Sequence, residues 1–289
     1  MKPVFMPRRI EEVWPIWERR PEAVLYAGGT DLFPSMRHGR PAPDAFICLE
    51  SVSELKGVRD EGGSLVIGAG TTHAELLDDP LILEHAPILA RALAVLGSPP
   101  IRHMGTIGGN VCTASPAGDT LPPLYLLGAE VEIQSVGGNR SLPMRDFILG
   151  PGRTALNSGE IVTGIRLDKA APGCIHHFEK VGPRMALAIA VVSLAALLRV
   201  SDENRIESAR LAWGSVGPTV VISDEVEAAL IGRALTMHTL EGAAVLARRA
   251  VRPIDDIRAG ADYRRLLAGN LILRLIEYAR PAGSPGTSR

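Results

Sequence analysis

The segment that most constrains this chain runs from Thr106 to Asp119 and reads TIGGNVCTASPAGD. It holds three glycines and no lysine or arginine. A shorter segment, Ala27 to Asp31 (AGGTD), has the same character earlier in the chain. Glycine lets backbone N–H groups approach a ligand closely, and such groups bind anions in backbone nests and at helix N-termini. Two glycine segments without a basic residue therefore predict a site for two adjoining phosphates, and hence for a dinucleotide.

The bulk composition is typical of a globular protein without a polyanionic partner. The 289 residues carry a net charge of −1 and only 4% aromatic residues, which gives no basis for a nucleic-acid surface. Cys48, Cys112 and Cys174 are far apart, so we expect neither a disulfide framework nor an iron–sulfur cluster in this chain. The longest apolar run, residues 185–198, is too short to span a membrane, and the N-terminus shows no secretory signal. We expect a reduced, soluble, cytoplasmic protein.

Residues 1–57 are predicted to form the first part of the chain. A helix is expected at residues 10–19, and strands at 23–27 and 45–49. Proline and glycine punctuate residues 34–43, which is typical of turns. The first glycine segment follows the first of these strands, so this part is predicted to hold part of a nucleotide.

Residues 58–170 are predicted to form the second part. Residues 68–73 resemble a Rossmann fingerprint, but His73 replaces the third glycine and no acidic residue follows about twenty positions on. A nicotinamide-type Rossmann fold is therefore disfavoured. The patterns predict strands at 64–69, 130–136 and 161–167, and helices at 73–77, 82–96 and 121–127.

Residues 171–280 are predicted to form a third part of mixed α and β structure, beginning with a strand at 176–181. The apolar run 185–200 fits a helix or a buried strand by periodicity alone, but the turn and strand patterns that follow it, up to residue 213, favour a hairpin. Residues 281–289 are predicted to be a flexible tail. Helices are expected at 224–234, 238–250 and 262–279, the last capped by Asp262 and buried through Leu266, Leu267, Ile272, Leu273 and Ile276.

The two glycine segments also match a known family. Residues 27–32, 106–110 and 114–119 together resemble the FAD-binding medium subunit of the molybdenum hydroxylases, the carbon monoxide dehydrogenase and xanthine dehydrogenase family. The resemblance extends to residues 159–161, 178–180 and 211–219 and covers nearly the whole chain. It implies an α+β fold, in which a two-subdomain FAD-binding domain of the PCMH or vanillyl-alcohol-oxidase type precedes a C-terminal domain of antiparallel sheet plus helical bundle.

The resemblance also implies which residues bind the cofactor. Asp119 matches an acidic FAD contact, although it could equally cap the helix that follows. Lys180 matches a basic residue near the flavin, with a solvated surface charge as the alternative. Leu96 replaces an aromatic residue that some relatives place over the cofactor. The implied FAD contacts are Leu25, Tyr26, Ala27, Gly28, Gly29, Thr30, Asp31, Leu32, Thr106, Ile107, Gly108, Gly109, Asn110, Thr113, Ser115, Asp119, Val162 and Lys180.

The function that the resemblance implies is electron transfer within an oxidoreductase complex. FAD in this chain would receive electrons from the [2Fe-2S] clusters of a small subunit and pass them to an external acceptor. The electrons would originate at a large molybdenum-cofactor subunit, within a dimer of heterotrimers that has no nucleic-acid partner and no membrane span. We expect no catalytic residue and no metal ligand in this chain. The alternatives are a free-standing FAD-dependent oxidoreductase and an assembly subunit that has lost FAD.

Overall fold

The computed structural model describes residues 2–184 and 187–279. Within them the chain forms two compact units, each built from three separate stretches. Unit 1 comprises the described residues of Met1–His85, Leu96–Ser115 and Gly128–Lys169. Unit 2 comprises those of Ala86–Val95, Pro116–Leu127 and Ala170–Arg289. The boundaries after residues 57 and 170 stay predictions, and the flexible tail predicted at 281–289 lies outside the described residues.

The strands are short in the first part of the chain and longest in the last part. In chain order they are β1 (Val4–Phe5), β2 (Val24–Tyr26), β3 (Phe46–Cys48), β4 (Val58–Asp60), β5 (Ser64–Gly68), β6 (Glu130–Ser135), β7 (Gly138–Pro143), β8 (Ile148–Gly150), β9 (Arg153–Thr154), β10 (Ile161–Asp168), β11 (Ile175–Val181), β12 (Val192–Val200), β13 (Ile206–Gly214) and β14 (Val221–Ile222).

The α-helices are mostly short, and several begin at a proline, whose fixed φ suits the first turn of a helix. In chain order they are α1 (Val13–Arg19), α2 (Leu32–Arg37), α3 (His73–Asp78), α4 (Pro80–His85), α5 (Pro87–Ala94), α6 (Pro99–Met104), α7 (Ile107–Thr113), α8 (Leu121–Leu126), α9 (Met144–Phe147), α10 (Asp224–Leu230), α11 (Met237–Ala250) and α12 (Ala261–Leu273). Short 3₁₀ helices occupy Ile10–Glu12, Ser53–Leu55 and Arg274–Tyr278.

Unit 1 contains a small parallel sheet and a larger antiparallel sheet. The parallel sheet has the order β1-β3-β2, and the antiparallel sheet has the order β4-β5-β10-β6-β7. Strand β5 pairs antiparallel with both of its neighbours, unlike the parallel strand that a Rossmann unit requires. Strands β8 and β9 form a separate two-stranded sheet.

Unit 2 is built on the antiparallel sheet β11-β12-β13-β14, and α10, α11 and α12 contribute to one core with it. Trp213 is fully buried in that core, and its indole N–H donates to the Ala268 carbonyl oxygen at 3.0 Å. The hairpin of β12 and β13 confirms the strand interpretation of the apolar run, although β12 begins only at Val192. The α+β class is confirmed.

Three local expectations are wrong. Residues 34–43 were expected to form turns, but residues 34–37 belong to the helix α2. The helix expected at 82–96 is two helices, because Pro87 has no N–H to donate and starts α5 after the non-helical Ala86. The helix expected at 224–234 ends at Leu230, before the left-handed Gly232.

The last helix also differs from the expectation. Its N-cap is Gly260, whereas Asp262 is exposed and pairs with Arg265 at 2.6 Å. Leu266 is exposed, and Leu267, Leu273 and Ile276 are only partly buried. The buried face of α12 comprises Arg264, Ala268, Gly269, Leu271 and Ile272. Of the five residues that were expected to form the buried face, only Ile272 is fully buried.

Candidate functional site

The first glycine segment contacts the backbone immediately before the second segment in unit 1. A Cβ atom built on Gly28 would overlap the carbonyl oxygen of Met104, which lies just before the second segment. Only glycine leaves room for this approach. Two segments that are remote in sequence therefore form adjoining walls of one region.

A side-chain hydrogen bond joins the same two segments. The Thr113 hydroxyl, at the end of α7, lies 3.1 Å from the Asp31 carboxylate, to which it donates. The same hydroxyl lies 3.0 Å from the Gly109 carbonyl oxygen. Asp31 and Thr113 thus link the two segments to each other.

Half of the second segment, Ile107–Thr113, forms the helix α7. Thr106 is the N-cap of α7, and its hydroxyl accepts from the Gly109 N–H at 3.1 Å. An N-cap of this type stabilises a helix by about 1 kcal/mol, which offsets much of the cost of one helical glycine. Ala114, in the left-handed region at φ 47°, ends the helix.

The backbone donors of the second segment are used inside the protein. The N–H of Ile107 donates to Thr71 at 3.0 Å, and that of Gly108 donates to Ala69 at 2.9 Å. A Cβ atom built on Gly108 would lie 2.6 Å from the Ala69 Cβ, so this helix packs closely on the turn after β5. The second segment therefore lines the site with fewer free N–H groups for a ligand than its glycines suggest.

The first segment has the opposite character. Among the described residues, the backbone N–H groups of residues 28–31 have no acceptor. Gly29 has φ +67°, a left-handed conformation that turns successive N–H groups toward one side. The first segment therefore has the form of an anion-binding nest.

Two cavities of unit 1 lie against these segments. One, of about 390 Å³, has mainly apolar walls that include Trp17, Leu49 and Leu55. The other, of about 410 Å³, is more polar and includes Lys56 and His103. Both are within the size range of small-molecule sites. Ala27, Gly70 and Thr106 line both cavities.

Several residues implied by the resemblance line these cavities. The apolar cavity is lined by Leu25, Tyr26, Ala27, Thr106, Gly108, Gly109 and Val162, and the polar cavity by Ala27, Gly28 and Thr106. Other implied residues belong to the same unit without lining either cavity: Gly29, Thr30, Asp31, Leu32, Ile107, Asn110, Thr113 and Ser115. Leu96 is also in unit 1, where it is buried and its carbonyl oxygen accepts from Arg102 at 3.0 Å.

Some cavity residues were missed by sequence reasoning. Glu160 lines the apolar cavity, and Arg140 donates to both of its oxygens at 2.7 Å. This hydrogen bonding lowers the pKa of Glu160 to about 2 and keeps the carboxylate charged. Burial raises the pKa of the Cys112 thiol to about 12, so Cys112 is a neutral wall residue. A Glu–Arg pair twenty positions apart in sequence has no short sequence signal that could have revealed it.

Asp119 and Lys180 belong to unit 2, where they form a buried ion pair. Lys180 Nζ lies 2.5 Å from Asp119 Oδ2 and donates also to the Val95 carbonyl oxygen at 3.2 Å. Asp119 Oδ1 is buried without a hydrogen-bond partner in the described residues. Burial raises the pKa of Asp119 to about 6, although Lys180 acts in the opposite direction. Lys180 is therefore not a solvated charge, and Asp119 makes no cap bond to α8, whose N-cap is Thr120.

Other candidate features are absent from the described part of the chain. No group of three or more His, Cys, Asp or Glu side chains there is arranged to hold a metal ion. None of the helices there has the length and apolar character needed to cross a membrane.

Two protein families match this chain in succession. The family described as "FAD binding domain in molybdopterin dehydrogenase" matches residues 1–169. The family described as "CO dehydrogenase flavoprotein C-terminal domain" matches residues 177–279. Together the two matches cover nearly the whole chain.

Similar full-length proteins come from several organisms. The carbon monoxide dehydrogenase medium chain of Hydrogenophaga pseudoflava is 31% identical over 89% of each chain. The putative xanthine dehydrogenase FAD-binding subunit of Escherichia coli is 31% identical over 90% of this chain and 89% of its own. The solved carbon monoxide dehydrogenase of H. pseudoflava superposes with a TM-score of 0.89 at 30% identity, covering 96% of each chain. The chain therefore belongs to the family of FAD-binding medium subunits of the carbon monoxide dehydrogenase and xanthine dehydrogenase type.

Proposed function

We propose that this chain is the FAD-binding, electron-transfer subunit of a molybdenum hydroxylase complex. When bound, FAD accepts and releases electrons, and it would link iron–sulfur clusters in a small subunit with an external acceptor. Oxidation of the organic substrate would take place on a large molybdenum-cofactor subunit. The observation that carries the proposal is the backbone contact of Gly28 with Met104, just before the second glycine segment, beside two cavities that both segments line.

The residues of unit 1 fit a flavin dinucleotide. The unpaired N–H groups of residues 28–31 would donate to the diphosphate, which needs donors but no lysine or arginine. The walls of the apolar cavity would receive an aromatic portion of the cofactor and exclude water from it. Gly28 packs closely on the Met104 carbonyl group and Gly108 packs closely on Ala69, and a Cβ atom fits at neither position. The contacts implied by the resemblance in unit 1 remain our proposed site.

Asp119 and Lys180 are proposed as further cofactor contacts in unit 2. Their assignment rests on the family resemblance, and the buried Asp119 Oδ1 supports it because it could accept a hydrogen bond from a ligand. Asp119 would also act through its ion pair with Lys180. The Asp119 carboxylate holds the Lys180 ammonium group at a fixed position and balances its charge.

The assembly is proposed as a dimer of heterotrimers in the cytoplasm. The names of the relatives as medium chains and FAD-binding subunits support a multi-subunit complex. The free thiols of Cys48, Cys112 and Cys174 suit a reducing compartment.

The proposal is tested by purifying the tagged chain from its native host. We expect FAD together with iron and molybdenum in fixed ratios, carried by a small and a large partner chain. FAD in the isolated chain should stay oxidised with a substrate that reduces it in the complex. A metal-free single chain whose FAD is reduced directly by a small organic substrate would instead favour a free-standing oxidoreductase. A folded chain that retains no FAD would favour an assembly subunit.

A further inference from the structure

Phe33 lies directly on the first glycine segment. A Cβ atom built on Gly29 would overlap the Phe33 ring, so the ring rests against the glycine backbone. The N–H of Phe33 also donates to the Gly29 carbonyl oxygen at 3.1 Å. The ring and the backbone of one residue therefore both hold Gly29, which has the left-handed φ of +67°.

The Phe33 ring is itself held by two other aromatic rings. Its centroid lies 5.2 Å from that of Tyr26 in an edge-to-face arrangement and 6.3 Å from that of Phe46. Tyr26 and Phe46 belong to the paired strands β2 and β3. These distances are typical of favourable aromatic pairs. The three rings connect the glycine turn to the parallel sheet.

Phe33 is 40% exposed and lines neither cavity. Burial in the hydrophobic core therefore does not account for the position of the Phe33 ring. The feature that it contacts is the turn whose N–H groups, in residues 28–31, have no acceptor among the described residues. An exposed aromatic ring at this place acts on the shape of the turn.

We propose that Phe33 is a positioning residue for the diphosphate of the cofactor. The ring holds Gly29 in the left-handed conformation and so keeps the neighbouring N–H groups directed at one anion. It acts through the backbone of the turn and makes no contact with the cofactor itself. This inference rests on the proposed function, because it assumes that the nest binds the FAD diphosphate.

The test compares four full-length chains from which flavin has been removed: wild type, Phe33→Ala, Phe33→Tyr and the control Leu83→Ala. Leu83 is a matched control because it is 51% exposed on another six-residue helix of unit 1, α4. The FAD dissociation constant is measured by flavin fluorescence, and the diphosphate of bound FAD is observed by ³¹P NMR. The alanine variant of Phe33 should bind FAD about tenfold more weakly, the loss expected for one to two aromatic contacts. Its ³¹P signals should shift or broaden at saturating FAD, while Phe33→Tyr and Leu83→Ala should match wild type.

The inference is overturned if Phe33→Ala and Leu83→Ala have the same FAD affinity and the same ³¹P spectrum. Circular dichroism establishes whether each variant is folded, and Phe33→Leu replaces the alanine variant if that one is not. A purely structural role would lower the unfolding temperature without changing the ³¹P signals of bound FAD. A wild-type chain that binds no FAD would refute the proposed function, and this result is distinct from equal binding by all variants.

Discussion

The Thr113 hydroxyl donates to the Asp31 carboxylate at 3.1 Å and joins two segments that are eighty-two positions apart in sequence. An acidic residue beside a proposed phosphate site is unexpected, because its charge would repel the ligand. The hydrogen bond to Thr113 gives Asp31 a different role, which is to fix the spacing of the two glycine segments.

Loss of the Asp31–Thr113 bond should weaken FAD binding more than it weakens the fold. Both side chains are accessible, so Thr113→Val should cost only about 0.5–1 kcal/mol of unfolding free energy. FAD affinity should fall several-fold, and a double-mutant cycle with Asp31→Ala, which removes the acceptor, should give a coupling energy of similar size. Thr239→Val, which removes a hydroxyl pair at 3.0 Å in unit 2, is the control and should leave FAD affinity unchanged. Additive effects of the two site variants would contradict the proposed link.

Gly28→Ala should be among the most damaging small substitutions in the chain. Its Cβ would overlap the Met104 carbonyl oxygen, a backbone atom that cannot rotate away. We expect a loss of about 3 kcal/mol or more in the cofactor-free chain, together with loss of FAD retention. Gly242→Ala is the matched control, because a Cβ there meets nothing within 4 Å inside α11. It should be neutral or stabilising by up to about 1 kcal/mol, since alanine is the better helix former. Equal stability of the two variants would contradict the described backbone contact.

The Glu160–Arg140 pair should stabilise unit 1 except in acid. The pKa of Glu160 is lowered from 4.5 to about 2, chiefly by the hydrogen bonds from Arg140. The unfolded chain therefore binds more protons than the folded chain within that interval, and the contribution to stability is lost as the pH falls through it. Glu160→Gln should lower the unfolding free energy at neutral pH by about 2 kcal/mol. The difference from wild type should shrink as the pH falls from 4.5 toward 2, which chemical denaturation at a series of pH values can measure. A difference that is independent of pH would contradict the assignment.

The Asp119–Lys180 pair should have the opposite pH dependence. Burial raises the pKa of Asp119 from 3.8 to about 6, so the folded chain binds more protons than the unfolded chain between these values. The contribution of Asp119 to stability should therefore decrease as the pH rises through this window. Asp119→Asn should remove that slope in the cofactor-free chain.

Removal of one partner of the Asp119–Lys180 pair should destabilise the fold more than removal of both. Lys180→Met leaves a buried carboxylate without its cation and should cost about 3–5 kcal/mol at neutral pH. The double variant Asp119→Asn/Lys180→Met should recover much of this loss, because no unpaired charge remains. Equal stability of Lys180→Met and the double variant would show that the ion pair does not control this region.

The α+β class was implied by the family resemblance, whereas most of the strands were predicted from alternation and from short apolar runs between glycine turns, which are local signals. The sequence also identified the two segments that meet in unit 1. It did not predict that the first N–H groups of α7 would donate within the protein. Their acceptors, the carbonyl oxygens of Ala69 and Thr71, lie in a turn that is distant in sequence. The Phe33 ring and the bond of Asp31 to Thr113 were missed for the same reason. Such contacts depend on how separate elements pack, which a single sequence does not display.

The most direct test of the central claim is residue-resolved amide hydrogen exchange of the full chain, with and without FAD. The N–H groups of residues 28–31 have no acceptor within residues 2–184 and 187–279, and they should exchange quickly until FAD protects them. Those of Ile107 and Gly108 already donate within the protein and should be protected in both states. Protection of the first segment that appears only with FAD is the expected result. Bound FAD that leaves exchange in the first segment unchanged would contradict the account.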